Sequence, residues 1–522
     1  MTDKLSRRSL LRMGLGGVTG LALPATVATA VAARLALEAA HTSPSVDRFA
    51  VPLTIPPVLT PYDAAEPTDI YEIRQVTAEA EILPGLRTPV WTYGGVYPGP
   101  TIEARRGRPV SVRHRNELPV PTVVHLHGGV TPPDSDGYPL DLVLPRGVHD
   151  WQGHHLGAGP PPGGTAGVAH GERTYHYPND QAAATLWYHD HRFDFTGPSV
   201  YRGLAGFYLL RDEAEESLPL PRGRREIPLM IQDRFFNEDG TFFYPSLDPT
   251  LVERPGVQAL FADGVRGDTI LVNGKPWPFL TVDGARYRFR VLNGSNARAY
   301  RLRLDPPPPG GGGLVQIGSD AGLLPRPIPL DEVYIGPGER YDVIVDFSRY
   351  SAGSRVVLAN GDGDEPTAQV MRFDVGSRAT DDSVIPETLV ADLEPMPPID
   401  APTTRSFVFT GGQGGIPATI NYRTFQADRL DASVPLGETE IWSIKVDPEH
   451  PFHPHLGHFR ILDRNGEPPE PQDSGWKDTV QIRAGVVRVA IRFSTYTGRY
   501  VLHCHNLEHG DMMMMANYEV IP

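Results

Sequence analysis

The sequence predicts an all-β protein made of β-sandwich domains, and three observations predict it. Short segments alternate apolar and polar residues with period two, the pattern of strands half-buried on one face. Glycine and proline contribute 54 residues each to the 522, which supplies many turns. A strand–glycine–strand unit recurs three times, a loose repeat that suggests three related sandwiches. No long amphipathic helix follows the first forty residues, so βαβ units are not expected. The length also exceeds what one hydrophobic core serves.

Taken in order, residues 1–44 are not fold. Ser6-Arg7-Arg8-Ser9-Leu10-Leu11 precedes a weakly hydrophobic, Gly/Ala-rich run from Gly14 to about Ala33. Ala28-Thr29-Ala30 reads as a small-residue cleavage site. The segment resembles a bacterial twin-arginine export signal and linker. Pro24 and the Gly, Thr and Ala content argue against a membrane anchor. The expectation is a chain handed folded to the twin-arginine export machinery. Its mature form is then periplasmic, secreted or on the cell surface, with no stable membrane span.

The strand pattern begins in earnest at Thr101–Ala104 and Pro109–Arg113. It continues at Tyr287–Val291, Tyr341–Val345 and Val486–Phe493. The three repeat units run from Thr101 to Leu118, Phe279 to Asn296 and Ser433 to Asp447. Domains are expected at 45–215, 225–375 and 400–522. The Pro-rich stretches Asp305–Gly313 and Glu394–Pro402 read as surface loops or linkers.

The formal net charge is −15 with no Lys/Arg stripe, so nucleic acid is not an expected partner. The single cysteine, Cys504, excludes an internal disulfide. Taken alone, it reads as a buried core thiol. Its neighbours decide otherwise. Ten of the 18 histidines fall in four clusters: His125 and His127; His189 and His191; His450, His453 and His455; and His503, His505 and His509. A His-x-His pair on a strand places both imidazoles on one face. Such pairs are costly as core features and natural as ligands to adjacent metal ions. Zinc would need fewer ligands and no methionine. The scarcity of carboxylates disfavours calcium, magnesium and a di-iron site. His450, Cys504 and His509, with a methionine beyond, make the trigonal His₂Cys set of a blue copper site.

These clusters, in this order, resemble the three-domain multicopper oxidases, especially the bacterial spore-coat laccase and bilirubin oxidase branch. Thr131-Pro132-Pro133-Asp134-Ser135-Asp136-Gly137 is similar to that branch as well. The resemblance runs from about residue 48 to the C-terminus and implies three cupredoxin-like Greek-key β-sandwich domains. It implies four copper ions. Type 1 copper would take His450, Cys504 and His509, with Met514 axial. Type 2 copper would take His125 and His453. One type 3 copper would take His127, His189 and His505, and the other His191, His455 and His503. Cys504 would collect single electrons, and its neighbours His503 and His505 would connect it to the cluster that reduces O₂ to water. Asp136 is the implied proton source. Relatives usually carry glutamate directly after the last type 1 histidine, where this chain has Gly510, which puts the proton route in question.

The expected activity is oxidation of phenolic or related small aromatic donors with O₂ as acceptor, by a monomer. Bilirubin oxidase and cuprous or manganese oxidase are alternatives, as is a nonenzymatic copper-binding protein. A Met-rich insertion would favour the cuprous reading, and none precedes Met512. Met512, Met513 and Met515 read as core filling beside the copper. His154, His155, His170 and His176 read as solvated loop residues, and His458 as structural.

Overall fold

Each of the three strand–glycine–strand units crosses from one sheet to another. In the first, strand Gly99–Arg105 lies in one four-stranded sheet and Val110–Asn116 in a second. The middle unit repeats this with Phe279–Gly284 and Arg286–Asn293, and the last with Ala432–Pro435 and Thr439–Asp447. The two strands of each unit lie in different sheets and do not pair with each other. Each takes a distant partner instead, and all six of these partnerships are parallel. The other ladders of these sheets are antiparallel. Gly107 (φ +74°) and Gly437 (φ +86°) make the first and last arches in the left-handed region that favours glycine.

The structure is a computed structural model that describes residues 41–64, 67–148, 166–245, 263–391, 393–412 and 416–522. The paired-arginine segment, His154 and His155 lie outside these. Six large sheets pair off around three apolar cores. The first core holds Tyr71, Ile73, Val112, Leu186 and Tyr208. The second holds Leu229, Phe289, Val343 and Phe373. The third holds Phe407, Trp442, Phe452, Val489 and Tyr518, together with Cys504 and Met514. The fold is thus all-β, as expected, with sheets arranged as in cupredoxin-like sandwiches. Among the described residues the longest helix, Thr196–Arg202, has seven residues, and no helix is long and apolar enough to cross a membrane.

Two ladders place the histidines. Val124–His127 pairs with Ala184–Asp190 so that His125 faces His189. His450–Pro454 pairs with Gly498–Cys504 so that His453 faces His503 and Phe452 faces Cys504. The first ladder belongs to the first sheet pair and the second to the third pair.

Candidate metal centre

The His-x-His argument holds strictly for His125 and His127, both on one short strand with rings 5.8 Å apart. Elsewhere the second member sits just past a strand end. His191 follows Asp190, His455 follows Pro454, and His505 follows Cys504. His450 and His453 share a strand at odd spacing and serve different places, the first beside Cys504 and the second beside His125.

Eight histidines converge between the first and third sheet pairs, all buried. Three of them, His191, His455 and His503, point their Nε2 atoms at one another at 3.1, 3.2 and 3.3 Å. Burial holds all three imidazoles below their ordinary pKa, His503 at about 4. His455 spends Nδ1 on the Asp136 carboxylate at 2.6 Å, and His503 spends its Nδ1 on the Cys504 carbonyl at 3.0 Å. A neutral ring that donates from Nδ1 offers a lone pair at Nε2. The lone pairs of His455 and His503 therefore face each other at 3.3 Å and repel unless a cation lies between them. An ion at the centre of such a triangle would sit about 2 Å from each nitrogen, an ordinary metal–imidazole distance.

The other five histidines fit a metal on the same test. His125, His189 and His453 each donate Nδ1 to a backbone carbonyl, of Asp136, Asp190 and Asp478. Each leaves a buried Nε2 with no protein partner. His127 is turned the other way: Nε2 meets Asp478 Oδ1 at 3.0 Å and Thr479 Oγ1 at 2.9 Å, and Nδ1 is bare. His505 has neither nitrogen bonded and lies with its ring centre 4.9 Å from that of His127 and 5.6 Å from that of His189. Trp187 stacks on His189 at 4.2 Å. Potential ligand atoms gather as His125 with His127 and His189, and as His125 with His453 and His455.

The cysteine has a separate site. Cys504 Sγ lies 3.4 Å from Nδ1 of both His450 and His509, and those nitrogens are 3.0 Å apart. Burial raises the thiol pKa, so a thiolate here needs a cation to compensate it. Soft sulfur with two imidazoles in a near-equilateral triangle suits copper. The Cys504 N–H donates to the Met514 carbonyl at 3.2 Å, and the Met514 side chain is fully buried in the same core. Helix Leu507–Asp511 carries His509 and is capped by the Asn506 side chain, which accepts from the His509 N–H. His509 Nε2 donates to the Gly412 carbonyl at 3.1 Å.

Asp136 lies behind the cluster, and its backbone carbonyl and carboxylate each hold a histidine. Burial pushes its carboxyl well above the usual range. The acids near Gly510 are engaged elsewhere. Glu508 accepts from Tyr244 Oη, Asn296 Nδ2 and the Val265 N–H. Asp511 accepts from the N–H groups of Thr196 and Gly197. A side chain at position 510 would meet only the Cys504 carbonyl, at 3.6 Å, so glycine is not imposed by crowding. His458 donates to the Gly128 carbonyl, a structural bond. His176 is exposed and bonds Ser111, and His170 is exposed too. Met515 packs with Tyr138 and Phe425, Met513 lies against the same group, and Met512 lies against the third core. Asp478, Thr479 and Arg340 had no signal in the sequence. They lie in no motif: Asp478 and Thr479 reach His127, and Arg340 reaches Asp478, only through the fold.

Two family models, both described as multicopper oxidase, match residues 75–145 and 398–522. A laccase of Bacillus stratosphericus is 39% identical over 91% of this chain and 100% of its own. A bilirubin oxidase of Albifimbria verrucaria is 35% identical over 92% of this chain and 83% of its own. The crystal structure of a laccase from Pediococcus acidilactici superposes with a TM-score of 0.77 at 30% identity, covering 92% of this chain and 95% of that one. With the histidine clusters and the buried Cys504 site in place, these likenesses show that the chain belongs to the multicopper oxidase family, in its laccase-like branch.

Proposed function

We propose that this copper-dependent, laccase-like oxidoreductase oxidises phenolic and related small aromatic donors one electron at a time and reduces O₂ to water. The observation that carries the reading is the sequence His503-Cys504-His505. It ties the thiolate triangle to two imidazoles of the eight-histidine cluster through adjacent peptide bonds. Bound copper would supply one-electron exchange at the cysteine and four-electron reduction of O₂ at the cluster.

The donor set supports this allotment. His450 Nδ1, His509 Nδ1 and Cys504 Sγ would hold type 1 copper, with Met514 beyond. His125 and His453 would hold type 2. His127, His189 and His505 would hold one type 3 copper, and His191, His455 and His503 the other. The carbonyls of Asp136, Asp190, Cys504 and Asp478 fix the tautomers of four of these rings. Asp136 Oδ2 aims His455, while its buried Oδ1 has no hydrogen-bond partner and can keep a proton close to the cluster. The bilirubin oxidase likeness favours one second reading, a tetrapyrrole donor at the same site.

The same reading divides the chain near 45–215, 225–375 and 400–522, which is supported by sheet pairs spanning 69–211, 226–378 and 405–521. It takes residues 1–44 as a twin-arginine signal and linker, with a periplasmic or secreted, monomeric product. The test is the visible spectrum of the copper-loaded protein. An intense blue band that bleaches with a phenol under anaerobic conditions, and returns with air, is expected. A fully loaded protein with no blue band would refute the Cys504 assignment.

A further inference from the structure

Among the described residues, none of the candidate ligands lies between residues 192 and 449, so the described part of the middle sheet pair contributes no metal donor. It nevertheless reaches the cluster. We propose that Arg340, from the middle sheet pair, is a positioning residue for the oxygen-reducing site, acting through Asp478 on His127. The inference rests on the copper allotment above.

Arg340 and Asp478 are both fully buried. The guanidinium grips the carboxylate with two parallel bonds, Nη1 to Oδ1 at 2.6 Å and Nη2 to Oδ2 at 2.5 Å. Its remaining donors go to the carbonyls of Thr185, Gly338 and Asp320, so the fork cannot swing. Asp320 also accepts from the N–H groups of Asp478 and Thr479. Oδ1 of Asp478 therefore has one position, and that atom accepts from His127 Nε2. The proton is thereby held on Nε2, and the bare lone pair is left on Nδ1. His127 is the one histidine of the cluster aimed by a carboxylate held in a guanidinium fork. A rotated Asp478 would free the ring to flip and turn its N–H into the cluster.

The packing around this pair is built for it. Gly128 follows His127 at φ +83°, and a Cβ there would lie 2.5 Å from Asp478 Oδ2 and 2.6 Å from Arg340 Nη2. Gly338, two residues before Arg340, would place a Cβ 2.9 Å from the His505 ring. The turn that leads into the strand Arg340–Asp346 thus lies directly on a second histidine of the same cluster. A buried ion pair is weak evidence for stability, since apolar replacements often serve as well. The planar, bidentate geometry is what an apolar pair or a lysine cannot reproduce.

The test uses Arg340→Lys and Arg340→Met in the full, copper-loaded protein. Three readouts are taken: the blue band, copper retained against a chelator, and the fraction of copper visible by EPR. Both variants are expected to keep the blue band. Cluster copper should be held about 10-fold or more less tightly, and the EPR-visible fraction should rise as the coupled pair is disturbed. Arg340→Lys keeps the charge and decides the matter if Arg340→Met does not fold. A lower melting temperature with unchanged copper retention and EPR would show a merely structural role and overturn the proposal. A wild-type protein without a blue band would instead bring down the copper allotment, and this inference with it.

Discussion

At the residue scale, Cys504 serves the thiolate triangle through its sulfur and the histidine cluster only through its backbone carbonyl. Four clusters of buried histidines and one cysteine between two of them have no cheap structural reading. Replacing Cys504 with serine is expected to abolish the blue band while cluster copper stays bound, because none of the eight cluster histidines uses the Cys504 side chain. Copper analysis beside the visible spectrum checks this. Asp478 and Arg340 were not legible. Asp478 meets His127 across 351 residues and Arg340 across 138, and an ordinary Lys-Asp-Thr run does not announce such contacts.

The buried imidazoles also set a pH dependence. Burial lowers His189 to about 3, and His450 and His503 to about 4. In the unfolded chain they titrate near about 6.5. Between these values the unfolded chain binds more protons than the folded one. The stability each ring contributes is therefore complete above about pH 6.5 and is lost as pH falls to about 4 for His450 and His503 and to about 3 for His189. Each contributes roughly 1.4 kcal/mol per pH unit in that window. Melting temperatures of the copper-free protein should fall steeply across it, and a flat profile would contradict the neutral, buried cluster.

At the scale of elements, alternation revealed the strands and glycine the arches, but not the parallel ladders. Period two says that a strand is half-buried and nothing about which strand lies beside it. The six parallel pairings arise because each arch moves the chain to the opposite sheet. Turn chemistry carries its own prediction. Gly137 has φ +82°, and a Cβ there would lie 2.3 Å from the Val124 carbonyl oxygen, part of the strand that carries His125. Gly137→Ala is expected to cost about 1–3 kcal/mol. It should also loosen Asp136 and with it copper retention, measured by thermal melting and copper titration. Wild-type stability and affinity would show that this turn does not hold the cluster.

At the scale of the whole molecule, the cluster is assembled from the first and third sheet pairs. The Asp511 clamp onto Thr196 and Gly197 joins the same two regions. Copper bound between them stabilises the assembled chain over the separated parts. At a free copper level about 100-fold above Kd the gain is about 2.7 kcal/mol. Chelation should therefore lower the melting temperature by several degrees, and re-addition should restore it. A melting curve indifferent to copper would argue against ligands shared between the two regions.

The most direct measurement is the stoichiometry of oxygen consumption by the copper-loaded protein with a phenolic donor. A working thiolate site coupled to the cluster should consume one O₂ for every four donor electrons and release no hydrogen peroxide. Peroxide in step with donor oxidation, or donor oxidation without oxygen uptake, would contradict the coupling of Cys504 to the eight-histidine cluster.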